Sequence, residues 1–253
     1  MNMNLKKSFL RAVSVSVLSV AVFSITACKP SEAIPDAQEH ELSNGHLTGV
    51  VVADENGRAG DGAVFFNNPR AVGEEPDGNI IVADFSSGHI VRINRQTGDR
   101  QLLSDNNNPD QGPVFSQAAG VAILPNGRIF VSDLVFNNVY EIDGVTGQRT
   151  IVSDESEFQI RQPFGITEGI INGKRMIVIG DTGSPEDGGV IGPSLMDPET
   201  GKVTAIPLLD DNDVHYNDPR SVDIVAHAGA ENGESDIIVG NFGQGTILSL
   251  IHI

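Results

Sequence analysis

The chain has 253 residues, including 28 Gly, 13 Pro and a single Cys. That length supports one large domain or two small ones with a sizeable core, and one Cys excludes both an internal disulfide and a cysteine-based metal cage. The formal net charge of −18 repels nucleic-acid phosphates, so a nucleic-acid partner is not expected.

Residues 1–27 carry Lys6, Lys7 and Arg11, followed by an apolar run from Ala12 to Ala27. A charged start before a short apolar stretch reads as an export signal, and the run is short for a spanning helix. It ends in Ile25-Thr26-Ala27-Cys28, which resembles the bacterial lipoprotein lipobox. The resemblance implies cleavage before Cys28, lipid attachment to its thiol and a membrane partner through that lipid. Lys29 stands where Asp is associated with inner-membrane retention, which implies the outer membrane, on its periplasmic or surface face. Residues 28–46 contain Pro30, Pro35, Glu32, Asp36, Glu39 and Glu41 without an apolar period, and read as a flexible tether.

Residues 47–253 are repetitive. Pro76–Asp105 aligns with Pro125–Asp154 without a gap, and 11 of 30 positions are identical, among them Asp84/Asp133, Thr97/Thr146, Gly98/Gly147 and Arg100/Arg149. A period near 50 residues means stacked supersecondary units, none of which buries its apolar face alone. In the second unit the expected strands are Gly120–Leu124, Ile129–Asp133, Val139–Ile142 and Thr150–Ser153, with a two-residue hairpin at Asn126-Gly127. Two weaker copies follow. The third carries an insertion around Ser184–Gly189, and the fourth stops at Ile253 before a fourth strand. Leu47–Asp54 matches the unit-ending strands, so it is expected to close a ring by pairing into the last unit.

The segment FNNPRAVGEEPDGNIIVADFSSGHIVRINRQTG resembles the NHL repeat, a β-propeller blade, and there is a looser similarity to gluconolactonase/senescence-marker propellers. The expected fold is therefore all-β: a propeller of about four four-stranded antiparallel blades, its N-terminal strand closing the last.

Folding the first two hairpins puts Arg70 and Ala71 about opposite Asp84 and Gly120 opposite Asp133, so the strand-ending Asp84, Asp133, Asp181 and Asn241 are expected on one face near the ring axis. Such a ring can bind a cation such as Ca²⁺, or each side chain can accept backbone N–H groups from its own turn. Arg70 and Arg220 share the contexts NNPRAV and NDPRSV. They can clamp a carboxylate or phosphate at the rim, or neutralise neighbouring acids. The acidic stretch Leu209–Asp218 lacks the Gly and Glu of a calcium loop and reads as a solvated connection.

Three function classes follow. One is a non-enzymatic binding or scaffold module with a protein, extended ligand or small-molecule partner at the rim, and this is the reading adopted. The second is a metal-dependent lactonase or hydrolase. The gluconolactonase resemblance implies carboxylate and Asn metal ligands beside the inner strands, where this alignment puts Pro69, Ala119, Phe164 and Pro219. The third is a structural array assembling through its blades.

Overall fold

The computed structural model describes residues 39–41, 48–50, 66–154, 159–183, 192–206, 216, 218–226 and 235–250. Cys28, the insertion at 184–189 and most of the 209–218 stretch lie outside them. A short hairpin pairs β1 (Glu39–Glu41) with β2 (Thr48–Val50). Four antiparallel sheets then follow in chain order. The first comprises β3 (Pro69–Glu74), β4 (Ile80–Asp84), β5 (Ile90–Ile93) and β6 (Arg100–Ser104). The second comprises β7 (Ala118–Ile123), β8 (Ile129–Asp133), β9 (Asn138–Ile142) and β10 (Arg149–Ile151). The third comprises β11 (Pro163–Ile171), β12 (Lys174–Asp181), β13 (Ser194–Met196) and β14 (Val203–Ala205). The fourth has β15 (Pro219–Ala226), β16 (Ser235–Asn241) and β17 (Thr246–Leu250). Each sheet is a meander of sequential strands. The architecture is an all-β propeller whose blades match the sequence repeat.

The closing strand is placed differently from the expectation. Thr48–Val50 pairs with Glu39–Glu41, in the segment read as a tether, and not with β17. Pairing across a short loop has a far smaller closure entropy than pairing with a strand two hundred residues away. Residues 51–54 lie outside the described residues.

The blades hold together because every second strand is apolar on both faces. In β8, Ile129 and Val131 join the cluster with Ile81, Ala83 and Ile90 of the first blade. Phe130, between them, points the other way and joins Ile166, Ile177 and Ile179 of the third blade. In β12, Val178 does the same toward Ile237 and Val239 of the fourth. Strict alternation is thus replaced by continuous apolar runs, as in any sheet covered on both faces.

The hairpin turns of the first two blades have three loop residues rather than two, whereas Asn172-Gly173 of the third is a two-residue turn with both φ positive. Leu124 N–H donates to the Arg128 carbonyl at 3.0 Å, leaving Pro125, Asn126 and Gly127 in the loop. Only Gly127 has positive φ, 86°, as in a type I turn closed by a left-handed residue.

The repeated Thr-Gly has a further role in blade packing. Asp143 Oδ1 accepts from Val145 and Thr146 N–H at 2.9 and 2.7 Å, building a turn that ends on Gly147 at φ 70°. A Cβ on Gly147 would overlap the Leu103 carbonyl of the preceding blade, and one on Gly201 would overlap Val152 in the same way. Gly147→Ala is therefore expected to cost about 2–4 kcal/mol in urea denaturation. Gly127→Ala has the same sign of φ in open space and is expected to cost only about 1 kcal/mol. Equal losses at the two positions would show that the interblade approach contributes nothing.

Candidate functional site

Each inner strand begins with a β-bulge. The register with the second strand breaks between Pro69 and Ala71, between Ala118 and Gly120, between Pro163 and Ile166, and between Pro219 and Ser221. A bulge frees one residue from the ladder and re-aims its side chain. The residues freed at equivalent positions are Arg70, Ala119, Phe164 and Arg220. All four line one cavity of about 320 Å³ on the axis, together with Ala71, Val72, Gly120, Val121, Gly165, Ile166 and Ser221. The inner strands approach closely here: a Cβ on Gly120 would sit 2.6 Å from the Phe164 carbonyl oxygen.

This register corrects the sequence alignment in two ways. The residues paired with Asp84 and Asp133 are Pro69 and Ala118, rather than Arg70/Ala71 and Gly120. The axial places in the first and fourth blades hold Arg70 and Arg220, with Pro69 and Pro219 one residue earlier. The cause in both cases is the bulge, which leaves no trace in spacing because every unit has it.

The two arginines differ in their surroundings. Arg220 is paired: Asp218 accepts from its Nε at 2.9 and 3.0 Å and from its Nη2 at 2.6 Å. The Asp218 hydrogen bonds hold the Arg220 pKa above its ordinary value. Its guanidinium also lies 4.1 Å from the Phe242 ring centre and 5.5 Å from Phe164. Arg70 lies 4.3 Å from the Phe85 ring centre and 4.5 Å from Phe164. No carboxylate pairs with Arg70 among the described residues. Sequence reading overlooked the rings, although Phe85 and Phe242 each directly follow a strand-ending Asp84 or Asn241.

The strand-ending acids clip the blades. Asp84 accepts from Asn67 and Asn68 N–H at 2.6 and 2.9 Å, and from Ser87 N–H and Oγ at 3.0 and 2.9 Å. Asp133 accepts from Ser116, Gln117, Val135 and Phe136 N–H at 2.6, 3.2, 2.9 and 2.8 Å. Asp181 accepts from Arg161 and Gly183 N–H at 2.7 and 3.0 Å. Asn241 bonds Thr246 through its Nδ2 at 3.3 Å. Each of the three acids ties the approach to the inner strand to the loop leaving the next one. Among the described residues, no three His, Cys, Asp or Glu side chains converge so that they could hold a metal ion.

No protein-family model and no curated protein matches the chain. Solved structures do share its architecture. A putative gluconolactonase is 14% identical over 85% of this chain and 66% of its own, with a TM-score of 0.54. A gluconolactonase from Xanthomonas campestris is 13% identical over 85% and 65%, with a TM-score of 0.54. A structure of a nidogen/laminin complex is 14% identical over 72% and 60%, with a TM-score of 0.52. At these identities the likeness is one of β-propeller fold, and the chain spans less than two thirds of those structures' length.

The divalent metal implied by the gluconolactonase resemblance does not fit this axis. Its four places hold two guanidiniums, a methyl group and a phenyl ring, and none of these donates to a divalent cation. A guanidinium carries five donors, no acceptor and a permanent positive charge.

Proposed function

We propose that the chain is an exported, lipid-anchored β-propeller that acts as a binding module, receiving a ligand or partner at the axial mouth. The observation that carries this reading is the ring of bulge residues, Arg70, Ala119, Phe164 and Arg220, around one cavity. It offers guanidinium and aromatic surfaces without metal donors, in a chain whose net charge is −18. At contact distance the Arg70 guanidinium favours an anion at the axis over a cation, although the acidic body as a whole repels anions at long range. Anchoring rests on Ile25-Thr26-Ala27-Cys28, which supports lipid at Cys28, and Lys29 after it supports placement at the outer membrane.

The hydrolase alternative draws on the two gluconolactonases among the structural neighbours. The test is a panel of sugar and acyl lactones incubated with the purified chain and Ca²⁺, Mn²⁺ or Zn²⁺. The expected result is no metal-dependent turnover. Turnover that a chelator removes and added metal restores would make the hydrolase reading the better one.

A further inference from the structure

We infer that the axial cavity is a receptor for a carboxylate carried on a small apolar body. The inference rests on the binding-module reading and adds the chemical class of the ligand.

Arg70 supplies the charge. Its guanidinium lies over Phe85 and Phe164, which attract the cation through their ring faces without engaging its N–H donors as a carboxylate would. Two rings also restrict the side chain, so fewer rotamers are lost when an anion binds. A planar fork with a free edge matches a carboxylate bidentately.

The site offers one uncompensated charge. Arg220, the other cation lining the cavity, is neutralised by Asp218. A phosphate dianion would meet one free guanidinium and the Asp218 carboxylate nearby. A carboxylate meets its single counter-charge.

The walls select the body. Ala71, Val72, Ala119, Val121, Phe164 and Ile166 surround the cavity. Val72 is 69% exposed, and Phe242, against Arg220, is 66% exposed. Open apolar surface beside a fixed cation suits an amphiphilic anion. A volume of about 320 Å³ is at the small end of ligand cavities, so the body is a single ring or short chain.

The test is calorimetric titration of the full chain in lipid nanodiscs with phenylacetate, phenylacetamide, benzylphosphonate and acetate. Phenylacetate is expected to bind at least tenfold more tightly than each of the other three. Arg70→Met keeps bulk beside the rings and removes the charge. It is expected to weaken phenylacetate about tenfold or more while leaving the weak phenylacetamide binding unchanged, and Arg70→Lys should restore part of the loss. Near-ultraviolet circular dichroism confirms that each variant is folded. Ala119→Leu fills the cavity and should weaken every probe.

Equal binding of phenylacetate and phenylacetamide, unaffected by Arg70→Met but lost in Ala119→Leu, overturns the carboxylate assignment and leaves the cavity as the site. Tighter binding of benzylphosphonate overturns the assignment in favour of a dianion. Absence of binding by all four probes, or binding indifferent to Ala119→Leu, overturns the cavity reading as well.

Discussion

Arg149→Met is expected to lower the unfolding free energy by about 3–5 kcal/mol, and the melting temperature by roughly 10 °C. Arg149 is 2% exposed, and no carboxylate hydrogen-bonds it. Its Nε donates to the Pro113 carbonyl at 2.6 Å. Nη1 donates to Ser104 Oγ and the Asp105 carbonyl, both at 2.9 Å. Nη2 donates to the Asn108 and Gly112 carbonyls, both at 3.0 Å. These partners account for all five N–H donors of a guanidinium. Burial pulls the Arg149 pKa below its ordinary value, and the neighbouring Asp105 and Tyr140 oppose that shift. The side chain holds the connection from β6 to β7, which sets the position of the second blade against the first. Methionine fills the volume and removes five donors; the Asp105 and Asn108 carbonyls keep backbone N–H partners, while the Pro113 and Gly112 carbonyls and Ser104 Oγ lose the Arg149 bond. A loss under 1 kcal/mol in urea denaturation would mean that water replaces the guanidinium.

Asp133→Ala is expected to cost about 3 kcal/mol or more, because it orphans four backbone N–H groups around a fully buried carboxylate. Asp133→Asn should retain part of that, since one oxygen still accepts. The same clip in the first blade gives the fold an acid-sensitive limb. Burial raises the Asp84 pKa, but the Ser87, Asn68 and Asn67 N–H groups outweigh it, and the net shift is downward. A carboxyl whose folded pKa is depressed adds stability that is fully present above its unfolded value, about 3.9, and is lost as pH falls through the folded value. Asp197, held low chiefly by the Lys174 hydrogen bond, adds to the same limb. Thermal midpoints should therefore hold above pH about 5 and fall below pH about 4, and Asp84→Asn should flatten that fall. An unchanged acid limb in Asp84→Asn would show that the clip contributes nothing to pH dependence.

The blades were legible because their signals are local. Ile129–Asp133 was placed to the residue, and the Asn126-Gly127 turn was located although its length was not. The Thr97-Gly98 and Thr146-Gly147 repeats marked a real turn, yet their role against the neighbouring blade depends on a carbonyl 44 residues away from Gly147, which no local pattern encodes. The axial ring was harder. A bulge present in every unit preserves every spacing, so it shifted which residues reach the axis while leaving the alignment intact. The Arg100/Arg149 identity was visible as a repeat position. Its meaning was not, because the partners of Arg149 lie on a loop whose path only the fold defines.

The most direct measurement is methyl NMR of the full chain during a phenylacetate titration. The axial account predicts that shifts concentrate at Val72, Val121 and Ile166, the valine and isoleucine lining residues of three successive inner strands, and that Arg70→Met suppresses them. Shifts confined to remote methyls such as those of Val145 and Ile151, with Val72, Val121 and Ile166 unmoved, would contradict it.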